Sequence, residues 1–278
     1  MFRLKSYNPK KLIHIFSSIE PILDTVTLHI DKECISIRDI DTSHLCLIDM
    51  ELNKDDFEEY EFTFEKPKQM SFYTKHIVNV LKVASKATSV KLKYTDGDTI
   101  KIVIDNKYSR KTYNIPLINV LDKDPIHIPD RDYPFELELT HDILKDIIDS
   151  AEITESDTIA FKIKDKKLFI TAKGALGKFE QVFEKQKFKN KTISLQNSKR
   201  FINKTTSRAQ YELYSCEGEF ENTFSLDYIN RFTKANNLSN KIMINMAPDY
   251  PLRMDFCINN ETGSILYYYL PPKLGQSH

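Results

Sequence analysis

Four helix-start signals recur along this chain in a fixed phase, and few folds allow that. Asn8, Thr74, Thr140 and Ser225 each stand just before a run of apolar residues at helical spacing; the first two steps between them are equal and the third is longer. All four are types whose side-chain oxygen can accept a hydrogen bond from an unpaired first-turn amide. The runs read Leu12 and Phe16; Ile77, Val78 and Leu81; Ile143, Leu144, Ile147 and Ile148; Tyr228, Ile229 and Phe232. Each is followed by a pair of alternating strands: Val26–Ile30 with Ile35–Ile37, Val90–Tyr94 with Ile100–Ile104, Ile159–Ile163 with Leu168–Thr171, and Ile242–Met246 with Leu252–Ile258. Asp96-Gly97-Asp98 is the strongest of the hairpin signals between them. The chain reads as one β-α-β-β unit used four times. That predicts an α+β protein of two similar domains, each with two helices covering antiparallel sheets.

Two segments fall outside the repeat. Residues 117–133 hold prolines and aspartates that forbid a helix, yet keep Leu117, Ile118, Val120, Leu121, Ile126 and Ile128. These aliphatics either pack down on the domains or are offered to a partner. The extra length of the last step falls in the polar stretch 184–209, an enlarged loop or extended hairpin. Its Lys185, Lys187, Lys189, Lys191, Lys199 and Arg200 form either a solvated face or a nuclear-import or DNA-contacting patch.

Composition mainly excludes. The 278 residues suffice for two domains, and no apolar run has membrane-spanning length. Met1 to Ser6 lacks the core of a signal peptide. Cys34, Cys46, Cys216 and Cys257 are scattered without metal-ligand spacing, so buried free thiols are expected. Forty basic and forty acidic residues cancel, which argues against a generic nucleic-acid coat. Asp39-x-Asp41-x-x-His44 has the residue types of a metal site, but its aspartates follow a strand into a turn, where they cap backbone amides. There is no phosphate-cradling glycine loop and no nucleophile elbow. No enzymatic activity, cofactor or metal is expected.

Several separated motifs carry a family resemblance. They are Met1-Phe2, Asp41-Thr42-Ser43-His44-Leu45, the connector end Ile126-His127-Ile128-Pro129-Asp130-Arg131-Asp132-Tyr133, and the turn Gly174-Ala175-Leu176-Gly177. The clearest is Phe224-Ser225-Leu226-Asp227-Tyr228-Ile229-Asn230-Arg231-Phe232-Thr233-Lys234-Ala235. The close, Tyr267-Tyr268-Tyr269-Leu270-Pro271-Pro272-Lys273-Leu274, is similar to a Tyr-Tyr-Leu-Ala-Pro-Lys ending. In order and spacing the chain resembles the proliferating cell nuclear antigen family of DNA sliding clamps, over all but the 184–209 insertion.

The resemblance implies a DNA-clamp fold: an N-terminal clamp domain at 1–118, an interdomain connector at 119–134 and a C-terminal clamp domain at 135–278. It implies a homotrimeric ring closed by edge strands Ser109–Ile115 and Gly177–Phe183, with Tyr113, Ile115, Gly177 and Phe179 at the subunit interface. The ring would encircle duplex DNA without reading sequence, its helices offering Lys10, Lys11, Lys75, Lys82, Lys86, Lys145, Arg231 and Lys234 to phosphate. Asp142, Asp146, Asp149 and Asp227 depart from the family's basic pattern. Partners implied are DNA polymerase, the clamp loader and other proteins carrying a Gln-x-x-aliphatic-x-x-aromatic-aromatic peptide. The peptide would meet Ile40, His44, Leu45, Leu47, Ile126, Ile128, Pro129, Tyr250, Pro251, Tyr269, Leu270, Pro271 and Pro272. Lys164 aligns with a lysine the family modifies with ubiquitin. The implied location is the nucleus, or a viral replication compartment. Three other readings share some of these features: a subunit of a heterotrimeric checkpoint clamp, a monomeric viral processivity factor, and an unrecognised enzyme or structural β-rich protein.

Overall fold

The computed structural model describes residues 1–119, 126–129, 131–184 and 211–273. The 184–209 lysine cluster, Val120, Leu121 and Leu274 thus lie outside the described residues. Contacts divide the chain into two units, Met1–Pro129 with Glu261–Leu266, and Asp130–Asn260 with Tyr267–His278.

The first unit runs β1 (Phe2–Ser6), α1 (Pro9–Ile19), β2 (Thr25–Ile30), β3 (Cys34–Ile40), β4 (Leu47–Asn53), β5 (Glu59–Phe62), β6 (Lys68–Tyr73), α2 (Thr74–Val83), β7 (Ser89–Tyr94), β8 (Thr99–Asp105) and β9 (Arg110–Pro116). The second runs β10 (Phe135–Thr140), α3 (His141–Glu152), β11 (Thr158–Lys164), β12 (Lys167–Gly174), β13 (Gly177–Glu184), β14 (Tyr211–Cys216), β15 (Phe220–Ser225), α4 (Leu226–Phe232), β16 (Lys241–Met246) and β17 (Leu252–Asn259), and takes the last part of β18 (Ser264–Leu270), whose residues up to Leu266 group with the first unit. All four expected strand pairs form, and each repeat adds a third strand: β4, β9, β13 and β18.

Within each unit the repeats exchange their leading strands. The strand before α1 pairs with the strand after α2, with Leu4 opposite Leu92, and the strand before α2 pairs with the strand after α1, with Leu28 opposite Met70. The second unit repeats this with β10 on β16 and β15 on β11. Each helix therefore hands the chain from one sheet to the other. The first unit's sheets run β5-β1-β7-β8-β9 and β4-β3-β2-β6; the second unit's run β13-β12-β11-β15 and β14-β10-β16-β17, followed by β18.

Helix pairs close the cores. α1 packs on α2 and α3 on α4. Their apolar stripes are buried as the periodicity predicts, except Ile143, which is half-exposed. In the second unit Phe232 stacks on Tyr268 with centroids 4.4 Å apart, and Phe256 meets the same ring edge-on. All four cysteines are free, but only Cys46 is fully buried, so the expectation of buried thiols holds for one of them.

The caps depart from expectation at three of four starts. Asn8 accepts from the Lys11 amide at 3.3 Å, whereas Thr74, Thr140 and Ser225 form no capping bond. At α2 and α4 a strand runs straight into the helix, and a carbonyl from the neighbouring strand entry takes the first amide. Thr74 donates to the Asp24 carbonyl at 2.9 Å and Leu226 to that of Asp157 at 3.1 Å. The Thr74 hydroxyl is left buried without a partner.

The β11–β12 hairpin turns on Asp165 and Lys166, both with positive φ (50° and 59°). That backbone favours glycine at the second position. Lys166→Gly should raise the unfolding free energy by about 1 kcal/mol, read as a higher urea midpoint at unchanged slope.

Candidate functional site

The first unit's candidate surface is built by one carboxylate. Asp41 Oδ1 accepts the amides of Leu45 (2.8 Å) and Cys46 (2.6 Å), and its backbone amide donates to the Cys46 carbonyl at 2.9 Å. This turn holds His44 at φ 55° and leaves Leu45 46% exposed. Beside it Ile40 and Leu47, cross-strand partners, are half-buried. Asp39 Oδ1 accepts the Ile40 amide, so both aspartates bond the backbone, but Asp39 lies within β3 opposite Ile48 and only Asp41 sits in the turn, where the sequence reading puts both. Ile126 and Ile128 are half-buried and Pro129 is exposed. Arg38, unremarked in the sequence, forks onto Asp49 at 3.0 and 2.9 Å and donates to the Ile126 carbonyl at 3.5 Å. A cross-strand ion pair thus anchors the connector.

The second unit carries a ladder of arginines and tyrosines. The Arg131 guanidinium lies 4.4 Å from the Tyr250 ring centre, and Tyr250 meets Tyr133 edge-on at 6.0 Å. Arg253 lies over Tyr133 (4.7 Å) and Tyr267 (5.3 Å), and Tyr267 adjoins Tyr269. Such contacts fix ring planes at the surface. Arg253 is held by a bidentate bond to Asp255, at 2.8 and 3.0 Å. Tyr250, Pro251, Tyr269, Pro271 and Pro272 are half-buried, and the Lys273 amide pins the ending to the Thr223 carbonyl at 2.7 Å. Leu270 is 2% exposed because the strand alternation turns it into its own core, so it offers no contact surface.

The eight candidate DNA-facing cations do not form one set. Lys10, Lys75, Lys86, Lys145 and Lys234 are exposed, with no ion pair among the described residues. Lys11 is withdrawn: its ammonium lies 2.9 Å from Asp56, whose side chain is fully buried. Asp56 also accepts from Thr262 Oγ1 and bonds the Ser264 hydroxyl. Lys82 reaches Glu20 at 3.5 Å, and Arg231 pairs with Asp227 at 2.7 Å, one turn away.

The candidate interface strands are both sheet edges: β9 ends one sheet of the first unit and β13 one of the second. Tyr113 and Phe179 are half-buried and Gly177 is exposed at φ 139°. Ile115, by contrast, is 2% exposed; it points into its own core opposite Ile100 and is not free to meet a second chain. The β12–β13 turn lies against the end of α3, where a Cβ on Gly174 would sit 2.1 Å from the Thr154 carbonyl oxygen. Only glycine fits there. Lys164 is exposed, while its neighbours Lys162 and Lys167 are bridged to Glu221 and Glu184.

Paired two-helix units with exchanged strands, the sheet-ending strands β9 and β13 and a connector surface define a DNA-clamp-type α+β protein. The N-terminal domain of proliferating cell nuclear antigen matches residues 1–125 and the C-terminal domain matches residues 127–273. The chain belongs to the proliferating cell nuclear antigen family, a family of non-enzymatic sliding clamps. It is 25% identical over 271 residues to DNA polymerase sliding clamp 3 of Sulfurisphaera tokodaii, covering 98% of this chain and 99% of that protein. It is 24% identical over 279 residues to the proliferating cell nuclear antigen of Caenorhabditis elegans, covering 99% and 97%. The crystal structure of the Entamoeba histolytica protein of that name superposes with a TM-score of 0.81 at 17% identity, covering 98% of this chain and 99% of that one.

Burial pushes the Asp255 carboxyl up to about 6, against the pull of Arg253. In the unfolded chain it titrates at about 4. The folded state therefore holds this proton more tightly. The group's contribution to stability is full below the unfolded value and is lost as pH rises through about 6. Asp255→Asn should remove that fall from the stability profile between pH 4 and 6, measured by urea unfolding at a series of pH values.

Proposed function

We propose that this chain is the subunit of a homotrimeric ring that encircles duplex DNA and tethers a DNA polymerase and other replication and repair proteins. The pair of open edges, β9 and β13, carries this reading. An edge strand offers unpaired amides and carbonyls to any strand beside it. Two different edges on one chain join head to tail, and the contact closes when its rotation fits a whole number of copies. The surroundings of both edges support such a contact. Tyr108 before β9 is 87% exposed; Leu176 before β13, Ile153 after α3 and Val182 on β13 are exposed as well. β9 carries Arg110 and Lys111 and no acid, whereas β13 carries Lys178, Glu180 and Glu184. Arg110 is bridged to Asp105, Lys178 to Glu180 and Glu184 to Lys167, so the exposed apolar residues rather than charge carry the match.

Function then follows from topology. A closed ring leaves DNA only by opening, so a bound polymerase rebinds its template at high effective concentration. Phosphate contact need only be weak and sequence-blind. The site of action is the nucleus, or a viral replication compartment. Light scattering on the purified chain should give about three times 32.5 kDa, and Tyr113→Ala should shift the mass toward the monomer. A monomer at every concentration for the unaltered chain would sink the ring and favour a monomeric viral processivity factor.

Client proteins dock through peptides of the Gln-x-x-aliphatic-x-x-aromatic-aromatic class. In the first unit the apolar anchors meet Ile40, Leu45, Leu47, Ile126 and Ile128. Ile126→Ala with Ile128→Ala removes methyl groups worth ~0.8 kcal/mol for each CH₂ they bury. Peptide affinity should fall at least ~10-fold in calorimetry with the trimer intact. Unaltered affinity would make the connector a plain linker. Tyr250→Ala probes the second unit's ladder separately.

A further inference from the structure

Charge is inverted between equivalent helix positions of the repeat. The second residue of α1 is Lys10 and that of α2 is Lys75; the second residue of α3 is Asp142 and that of α4 is Asp227. All four are exposed. A helix N-terminus carries partial positive charge, so an acid there supports the helix and a cation opposes it. Asp142 and Asp227 are thus accounted for by the helices they start. Lys10 and Lys75 are not, because neither first turn contains an acid to offset them. Neither lysine has an ion-pair partner among the described residues, and Lys86, beyond the end of α2, adds a third free cation.

The other helix pair is the reverse. Asp142, Asp146 and Asp149 recur at helical spacing along α3, with Glu152 after them, all exposed. Only Lys145 on that helix opposes them. His141 contacts Asp142 at 3.0 Å, and Asn230 of α4 donates to Glu152 at 2.7 Å. On α4, Arg231 is tied to Asp227, leaving Lys234 in the following turn as the free cation.

Resting on the sliding-clamp reading, we propose that DNA is gripped by the first unit alone. Lys10 and Lys75, with Lys86, contact phosphate, and the α3–α4 face repels it. Each copy then holds the duplex at one basic sector. Contact is kept sparse by this opposing field as well as by the small number of free cations.

The test compares the unaltered full chain with K10Q/K75Q and D142N/D227N. Fluorescence anisotropy on a short blunt duplex from 50 to 200 mM salt gives affinity and salt slope. K10Q/K75Q should bind at least ~10-fold more weakly at the lowest salt, with a slope shallower by about two for each copy engaged. Its thermal midpoint should be equal or higher, since the lost charges opposed their helices. D142N/D227N should bind several-fold more tightly. An unchanged slope in K10Q/K75Q, or unchanged affinity in D142N/D227N, overturns the one-sided grip. Light scattering separates the two levels. A monomer at every concentration for the unaltered chain defeats the sliding-clamp reading itself. A trimer with K10Q/K75Q binding like the unaltered chain defeats only the proposal made here.

Discussion

Everything in this fold depends on the exchange of leading strands between paired repeats. A single β-α-β-β-β repeat cannot bury both faces of its helix and strands. Two repeats can, because each lends its first strand to the other's sheet. The exchange makes Leu4 and Leu92, or Leu28 and Met70, neighbours across long sequence separations, and it brings the helices together in pairs. Such non-local pairing is slow to form but hard to undo in parts, since no repeat keeps its core without its partner. Shared between the repeats, the apolar stripes of the two helices become one contiguous core.

The same exchange decides where the chain stays open. It seats β1 and β10 inside their sheets and leaves β6 and β15 at sheet ends, while the third strands of the second and third repeats, β9 and β13, end theirs as well. Open edges are a hazard that charge can moderate. Here Arg110 and Lys111 guard β9, while Lys178 and Glu180 pair with each other at 2.8 Å on β13. Yet exposed apolar residues flank both edges, which indiscriminate avoidance of pairing would not favour. The combination suits selective pairing with one complementary strand.

Periodicity exposed the helices, the strand pairs and the fourfold repeat, because burial imposes it directly on neighbouring residues. The strand exchange was not legible, since pairing partners such as Phe2 and Tyr94 leave no local mark. Nor was the failure of three caps; at α2 and α4 a carbonyl supplied by tertiary structure does the work a Thr or Ser hydroxyl otherwise does. Lys11 looked like its exposed neighbour Lys10. Its partner Asp56 is remote in sequence, and no pattern around either residue announces the pair. Arg38 and Arg253 were within reach. Arg38 and Asp49 are opposite each other once the β3–β4 register is drawn, and Arg253-x-Asp255 places both groups on one side of a strand. Ile115 and Leu270 were placed at contact surfaces by family position, but strand alternation turns both inward.

A net charge of zero describes the sum and hides the arrangement. Screening limits interactions between exposed charges to about 8–10 Å at physiological salt, so a phosphate near α2 responds to Lys75 and its neighbours rather than to the total. The two helix pairs therefore act as separate electrostatic surfaces, one basic and one acidic. Burial sharpens the contrast further. By drawing Lys11 onto a fully buried Asp56, the first unit gives up one surface cation for an internal tie that also engages Thr262 and Ser264. The cations that remain free on its helices are few, and a sliding contact requires them to be few: each added phosphate pair deepens the wells between which the duplex must step.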